Sequence, residues 1–244
     1  QFLYEGITSE DTRLIVMEDM WGEVDCDYDF NDTYWVVTVD RAKLYWDPTH
    51  SLGTSVGGSG EWNDTASNWY DPRTNQDIPW DSNYIAVFAG TSGTVTLSSD
   101  VHADDVDFTS TGYNLSGSNS LILPQGGGTI DVVSSCTANI GAPIVSDTGA
   151  GDGLAKTGAG TLILTGTNTY IGDTTIAAGT LTGDTTSLPT AITLQNGANV
   201  TFNQTAAGAF SHVISGEGSL TKTGSATLTL AAANTYTGNT YVNG

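Results

Sequence analysis

The 244-residue chain has very little positive charge. It carries 6 Lys and Arg against 27 Asp and Glu, for a formal net charge of −21. No basic stripe is available to release counterions from a phosphate backbone, so a nucleic-acid role is excluded, and an anionic membrane surface is disfavoured on the same ground. Few intramolecular ion pairs can form, so the acids must be solvated or met by cations. The chain also lacks long hydrophobic runs. None reaches the length needed to span a bilayer, and no basic segment followed by an apolar one marks a leader, so any signal peptide is expected to be removed or absent. His is scarce: His50, His102 and His212 lie far apart among small polar residues, which reads as surface histidine. Near the repeats described below the acids are Asp152, Asp173, Asp184 and Glu217 and the basic residues are Lys156 and Lys222. That is too sparse for the paired carboxylates or cationic clamps of a polysaccharide-cleaving β-helix. An enzyme is not expected.

What the chain does have is internal repetition. Leu154 to Gly183 returns, shortened, as Leu220 to Gly244. Lys156 and Lys222, Gly158 and Gly224, and Asn168-Thr169-Tyr170 and Asn234-Thr235-Tyr236 correspond at one constant offset. A fixed period is the first clue to a repeat architecture. Thr161-Leu162-Ile163-Leu164-Thr165 puts two leucines on one face, and Thr227 to Leu230 does the same. Such period-two alternation, bounded by Gly and Asn, predicts short strands. The corners Gly158, Gly160, Gly166, Asn168 and Gly172 suit tight or left-handed turns. The offset fits about three coils of roughly 20 residues, stacked so that inward faces build one continuous core. Alternation continues at Thr94 to Leu97, Val106 to Phe108, Leu121 to Leu123, Thr129 to Val133, Ile192 to Leu194 and Val200 to Phe202. Phe210, Val213 and Ile214 extend the inside file. A β-sandwich also uses short strands, but the near-verbatim repeat favours an all-β parallel solenoid.

Residues 84–244, and above all the Lys-Thr-Gly start, Asn-Thr-Tyr-x-Gly centre and Gly-Thr-Leu end of the first copy, resemble the autotransporter-associated β-strand repeat of bacterial surface and secreted proteins. The resemblance implies a right-handed parallel β-helix, an extracellular or cell-surface location and no enzyme activity of its own. The second copy departs at Ala226 and stops at Gly244 before its closing Gly-Thr-Leu. Residues 46–90 are aromatic-rich. Trp46, Trp62, Trp69 and Trp80 are expected to cap the first coil of a solenoid spanning 91–244, because an open coil exposes core and backbone. Carbohydrate stacking on these rings is the alternative.

Residues 1–45 form an acidic head. Glu18, Asp19, Asp25, Asp27, Asp29, Asn31 and Asp32 lie between an apolar run, Arg13 to Met17, and the strand-like Thr33 to Val39. Carboxylates this close repel one another, and a hard divalent cation removes that cost. The spacing is not that of an EF-hand. Residues 14–40, through Glu18-Asp19 and Asp29-Phe30-Asn31-Asp32, resemble the acidic core of a domain of secreted bacterial surface proteins. Ca²⁺ is the expected cofactor, and a solvated acidic loop is the alternative. In an oxidising compartment Cys26 and Cys136 are expected to form a disulfide, against two separate thiols. The unfinished second repeat suggests an extracellular fibre in which copies of the chain join head to tail. Phe2, Leu3 and Tyr4, Leu14, Ile15 and Val16, or Tyr241 and Val242 would serve as assembly strands. A monomeric adhesin or passenger stalk contacting carbohydrate or a cell surface is the alternative.

Overall fold

The computed structural model describes residues 3–9, 12–17, 34–38, 41–53, 55–147, 151 and 153–244. The chain divides into two compact units, Gln1–Ala42 and Lys43–Gly244.

In the first unit, Leu3–Ser9, Thr12–Met17 and Tyr34–Thr38 form an antiparallel sheet in chain order. The apolar run expected around Leu14 is therefore the central strand, with both edges paired. The β-branched and aromatic content of Thr12–Met17 and Tyr34–Thr38 suits a pleated surface.

The second unit is a parallel β-solenoid. A ten-stranded and a nine-stranded sheet run along it. A three-stranded sheet, Val101–His102, Leu121–Leu123 and Ile144–Ser146, closes three of its coils as a third wall. In the ten-stranded sheet one inward column reads Ala86, Val106, Ile130, Lys156, Ile176, Leu194, Gly216 in direct register. Each member follows the last by one coil, and the coils differ in length: the step from Ile130 to Lys156 is longer than that from Ile176 to Leu194. Parallel strands lie about 4.8 Å apart, so each side chain packs on its counterpart in the next coil. The predicted alternation holds: Val95, Leu97, Val106, Phe108, Leu115, Leu162, Leu164, Leu181, Val200 and Phe202 are all buried. Val213 is the exception. It is exposed and its neighbour Ile214 is buried, because successive residues of a strand point to opposite faces and only one of the two can join the core.

At its N-terminal end the ten-stranded sheet changes direction. Lys43–Trp46 is parallel to Ile85–Phe88 but antiparallel to Trp69–Asp71, which pairs antiparallel with Gln76–Ile78. Two close ion pairs lie here. Lys43 meets Asp107 at 2.8 Å, and Arg73 meets Asp71 at 2.8 Å. Asp107 is stacked in register on Asp131. The like charges are relieved by Lys43 on one side and by the Thr157 hydroxyl, 2.7 Å from Asp131, on the other.

Candidate functional site

The repeat motif occupies coil corners, and its residues make the same local contacts in both copies. Asn168 Oδ1 accepts the Ile144 N–H at 2.8 Å while Thr169 N donates to Ile144 O at 2.9 Å. Asn234 and Thr235 hold Ile214 in the same way, at 2.8 and 2.9 Å. The Asn carboxamide thus extends the ladder where the main chain leaves it. The Tyr170 hydroxyl lies 2.8 Å from that of Thr174, and Tyr236 repeats the contact with Thr240 at 2.7 Å. Of the five predicted corner residues only Gly158 has a positive φ, 70°, and an added Cβ would lie 2.3 Å from Val132 O. Gly166 is required by approach instead, since its Cβ would meet Ala142 O at 2.6 Å.

Lys156 is the inward residue that the reading of the sequence passed over. The alternation from Leu154 already placed it on the core face. It is fully buried in the apolar column, and its ammonium donates to Thr157 O, Gly158 O and Ala178 O at 2.5, 2.7 and 3.2 Å. Burial pulls its pKa down to about 8, opposed only in part by Asp131. Lys222 makes the equivalent bond to Gly224 O.

The two copies nevertheless sit on different walls. From Lys156 the inward column passes through Ile176 and Leu194, and three coils end at Gly216, short of Lys222. The repeat offset therefore overshoots by one wall. Lys222 consequently lies in the nine-stranded sheet, stacked between Phe202 and Val242. The motif specifies a corner and its clamp, independent of the wall that follows.

Asn168→Ala is expected to cost ~2–4 kcal/mol, because it leaves the buried Ile144 N–H and Ser187 C=O without their 2.8 and 2.7 Å partners. Asn234→Ala should cost less, since that corner is only half-buried. Urea denaturation of the two variants checks the order.

The outer face of the nine-stranded sheet carries a polar column of Thr94, Asn114, Asn139, Ile163, Thr182, Thr201, Thr221 and Tyr241 in register. Within it Asn139 donates to Asn114 at 2.5 Å, and Thr221 donates at 3.2 Å to Asn199 of the adjacent column, so the face is polar apart from Ile163.

The four tryptophans pack on one another. Trp46, Trp62 and Trp69 are fully buried and Trp80 is 5% exposed, with ring centroids 4.7 to 5.2 Å apart and Phe88 completing the cluster. No ring face is left for a sugar. Trp46 and Trp80 donate to Gly58 O and His102 O at 2.9 and 2.8 Å. The Trp62 and Trp69 indole nitrogens are buried without a hydrogen-bond partner among the described residues.

Leu3 and Tyr4 fall in Leu3–Ser9, and Leu14, Ile15 and Val16 in Thr12–Met17. Tyr241 and Val242 lie exposed on Thr240–Val242, the edge strand of the nine-stranded sheet. Phe2, Cys26 and all the acidic candidates, Glu18, Asp19, Asp25, Asp27, Asp29, Asn31 and Asp32, lie outside the described residues. Cys136 is half-buried and packed against the core. Among the described residues no group of three or more His, Cys, Asp or Glu is placed to hold a metal, and no helix is long and apolar enough to cross a membrane.

Coils, clamped corners and polar ladders together define a β-solenoid repeat protein. Residues 154–182 and 220–244 match the passenger-associated-transport-repeat. The chain is 39% identical over 183 residues to the adhesin BmaC autotransporter of Brucella suis biovar 1 (strain 1330), an alignment covering 70% of this chain and 5% of that protein. No solved structure matches it. Both repeat copies thus carry the passenger-associated-transport-repeat, and most of the chain is similar to a short stretch of an adhesin autotransporter, which supports an extracellular or bacterial cell-surface location.

Proposed function

We propose that this chain is a length of an adhesin passenger, a stalk whose outer faces contact carbohydrate or a cell surface. One observation supports the reading: the relative aligned over 70% of the chain is an adhesin autotransporter. The four tryptophans act as the packed cap of the first coil, and sugar contact falls to the outer polar ladder and to exposed Tyr241. The coil is right-handed, as parallel crossovers within one sheet nearly always are. Displayed on a non-adherent bacterium, the chain should raise attachment to glycan-coated or host-cell surfaces. Attachment equal to that of bacteria without it sinks the proposal.

The second reading is a head-to-tail fibre stabilised by Ca²⁺ at Glu18 to Asp32 and by a Cys26–Cys136 disulfide. Electron micrographs of the purified chain with Ca²⁺ and with a chelator decide it. Filaments that disperse on chelation support the fibre, and monomers in both conditions remove it.

A further inference from the structure

The loop after the first strand of the solenoid contains an Asp–Pro bond in an unusual setting. Asp47 is fully buried. Its Oδ1 accepts the Thr49 and Ser51 hydroxyls at 3.0 and 2.9 Å, and its Oδ2 accepts Ser51 at 3.0 Å. Burial alone would raise its pKa, but bonds from Ser51, Thr49 and Gly53 outweigh that and hold the carboxyl below its usual range. The main-chain carbonyl of Asp47 accepts the His50 N–H at 3.1 Å, a donor aimed at the oxygen that would become an oxyanion. His50 and Leu52 hold left-handed φ values of 54° and 50°, conformations that non-glycine residues adopt at a cost. The His50 imidazole is 3.2 Å from Asp77 Oδ2. The Asp77 side chain is 9% exposed, and its Oδ1 is buried with no hydrogen-bond partner among the described residues. Burial first, and the Asp47 charge second, push its carboxyl up, with His50 opposing. A buried carboxylate that spends one oxygen on a histidine and none on the fold is poorly explained by stability.

We propose that the chain cleaves its own Asp47–Pro48 bond: the Asp47 carboxylate attacks its own main-chain carbonyl carbon, and the His50 imidazolium protonates the departing Pro48 nitrogen. A C–O bond forms as the C–N bond breaks, giving a cyclic aspartic anhydride at residue 47 and the free secondary amine of Pro48. Water then opens the anhydride to the Asp47 α-carboxylate, so the net reaction is hydrolysis in a single turnover. The His50 N–H stabilises the tetrahedral oxyanion. Asp77 is a positioning residue that orients the imidazole and stabilises its charged form. Proline makes this bond the susceptible one, because its tertiary amide leaves as a basic secondary amine. The cut would sever the covalent link between the Gln1–Ala42 unit and the solenoid, while Lys43–Trp46 stays paired with Ile85–Phe88 and Trp69–Asp71.

The chain carries its own control. Asp71–Pro72 is also an Asp–Pro bond, and the Asp71 carbonyl likewise accepts backbone N–H groups, from Asn75 at 2.8 Å. Its carboxylate, however, is clamped by Arg73 Nε and Nη2 at 2.9 and 2.8 Å. The two bonds therefore differ in nucleophile and in proton source. The full chain should be incubated at mildly acidic and at alkaline pH, with intact mass and N-terminal sequencing as readouts. The expected result is fragments 1–47 and 48–244, the second beginning at Pro48, formed faster on the acid side, with Asp71–Pro72 intact. His50→Gln, at an exposed side chain that the fold does not need, should slow cleavage ~100-fold, and Asp47→Asn should abolish it. Asp77→Asn should slow it. Equal cleavage at both Asp–Pro bonds, no cleavage, or a wild-type rate in folded His50→Gln overturns the proposal.

Discussion

Trp69→Ala is expected to destabilise the solenoid by about 3–5 kcal/mol, the range for truncating a buried aromatic. Trp69 touches Trp46, Trp62, Trp80 and Phe88 at centroid distances of 4.7 to 5.5 Å. Removing it opens a cavity under the point where the sheet changes from parallel to antiparallel. In a stacked architecture each coil leans on its neighbours, so the loss should appear first as fraying of residues 43–88. Hydrogen exchange should show those amides losing protection before the coils around Leu162. Trp69→Phe should cost far less than the alanine variant, because the indole N–H it deletes has no hydrogen-bond partner among the described residues. Trp46→Phe instead removes the bond to Gly58 O and should cost ~1 kcal/mol more than Trp69→Phe. Equal losses in the two phenylalanine variants would contradict this account of the cluster.

The second large effect is a stability that rises in mild alkali. Lys156 has a folded pKa of about 8 against 10.5 for the free side chain. Between those values the unfolded chain binds the proton that the folded chain has lost, so stability climbs with pH. The full interval corresponds to at most about 3.5 kcal/mol at ~1.4 kcal/mol per unit, and to less where water reaches the ammonium at the coil corner. The tyrosines act in the opposite direction. Burial raises Tyr113 and Tyr170 to about 12 from 10.0. Their contribution is complete below pH 10 and is lost as pH rises towards 12. Denaturation midpoints should therefore rise from pH 8 to a maximum near pH 10 and then fall. Lys156→Met should abolish the rise and keep the fall. A flat wild-type profile between pH 8 and 10 would show that the three carbonyls hold the charged ammonium as well as water does.

Alternation is local, and so it was legible. Thr161-Leu162-Ile163-Leu164 dictates which residues face inward whatever the neighbouring coils do, and Leu162 and Leu164 are buried as expected. Val213 was misread because Phe210, Val213 and Ile214 are all apolar, and hydrophobicity alone does not say which of two adjacent residues takes the inward direction. The corner asparagines were visible as punctuation. Their role as clamps on Ile144 and Ile214 was not, because each partner lies a full coil earlier in the chain. The Asp47, His50 and Asp77 arrangement depends on a hairpin returning Asp77 to a loop far before it in sequence.

By itself the sequence determined the class: strand faces, corners, an inward file and two copies of one motif. These rest on interactions within a strand and its turn, so no distant contact is needed to read them. The tertiary structure alone decided the phase. Coil length varies with the corner loops, longest between Ile130 and Lys156 and shortest between Ile176 and Leu194 in the inward column, so the second copy of the motif returns on the next wall and not above the first. It also decided that Lys156 is a core residue, because only the stacking of Ile130 and Ile176 on either side removes its ammonium from water and leaves it three carbonyls.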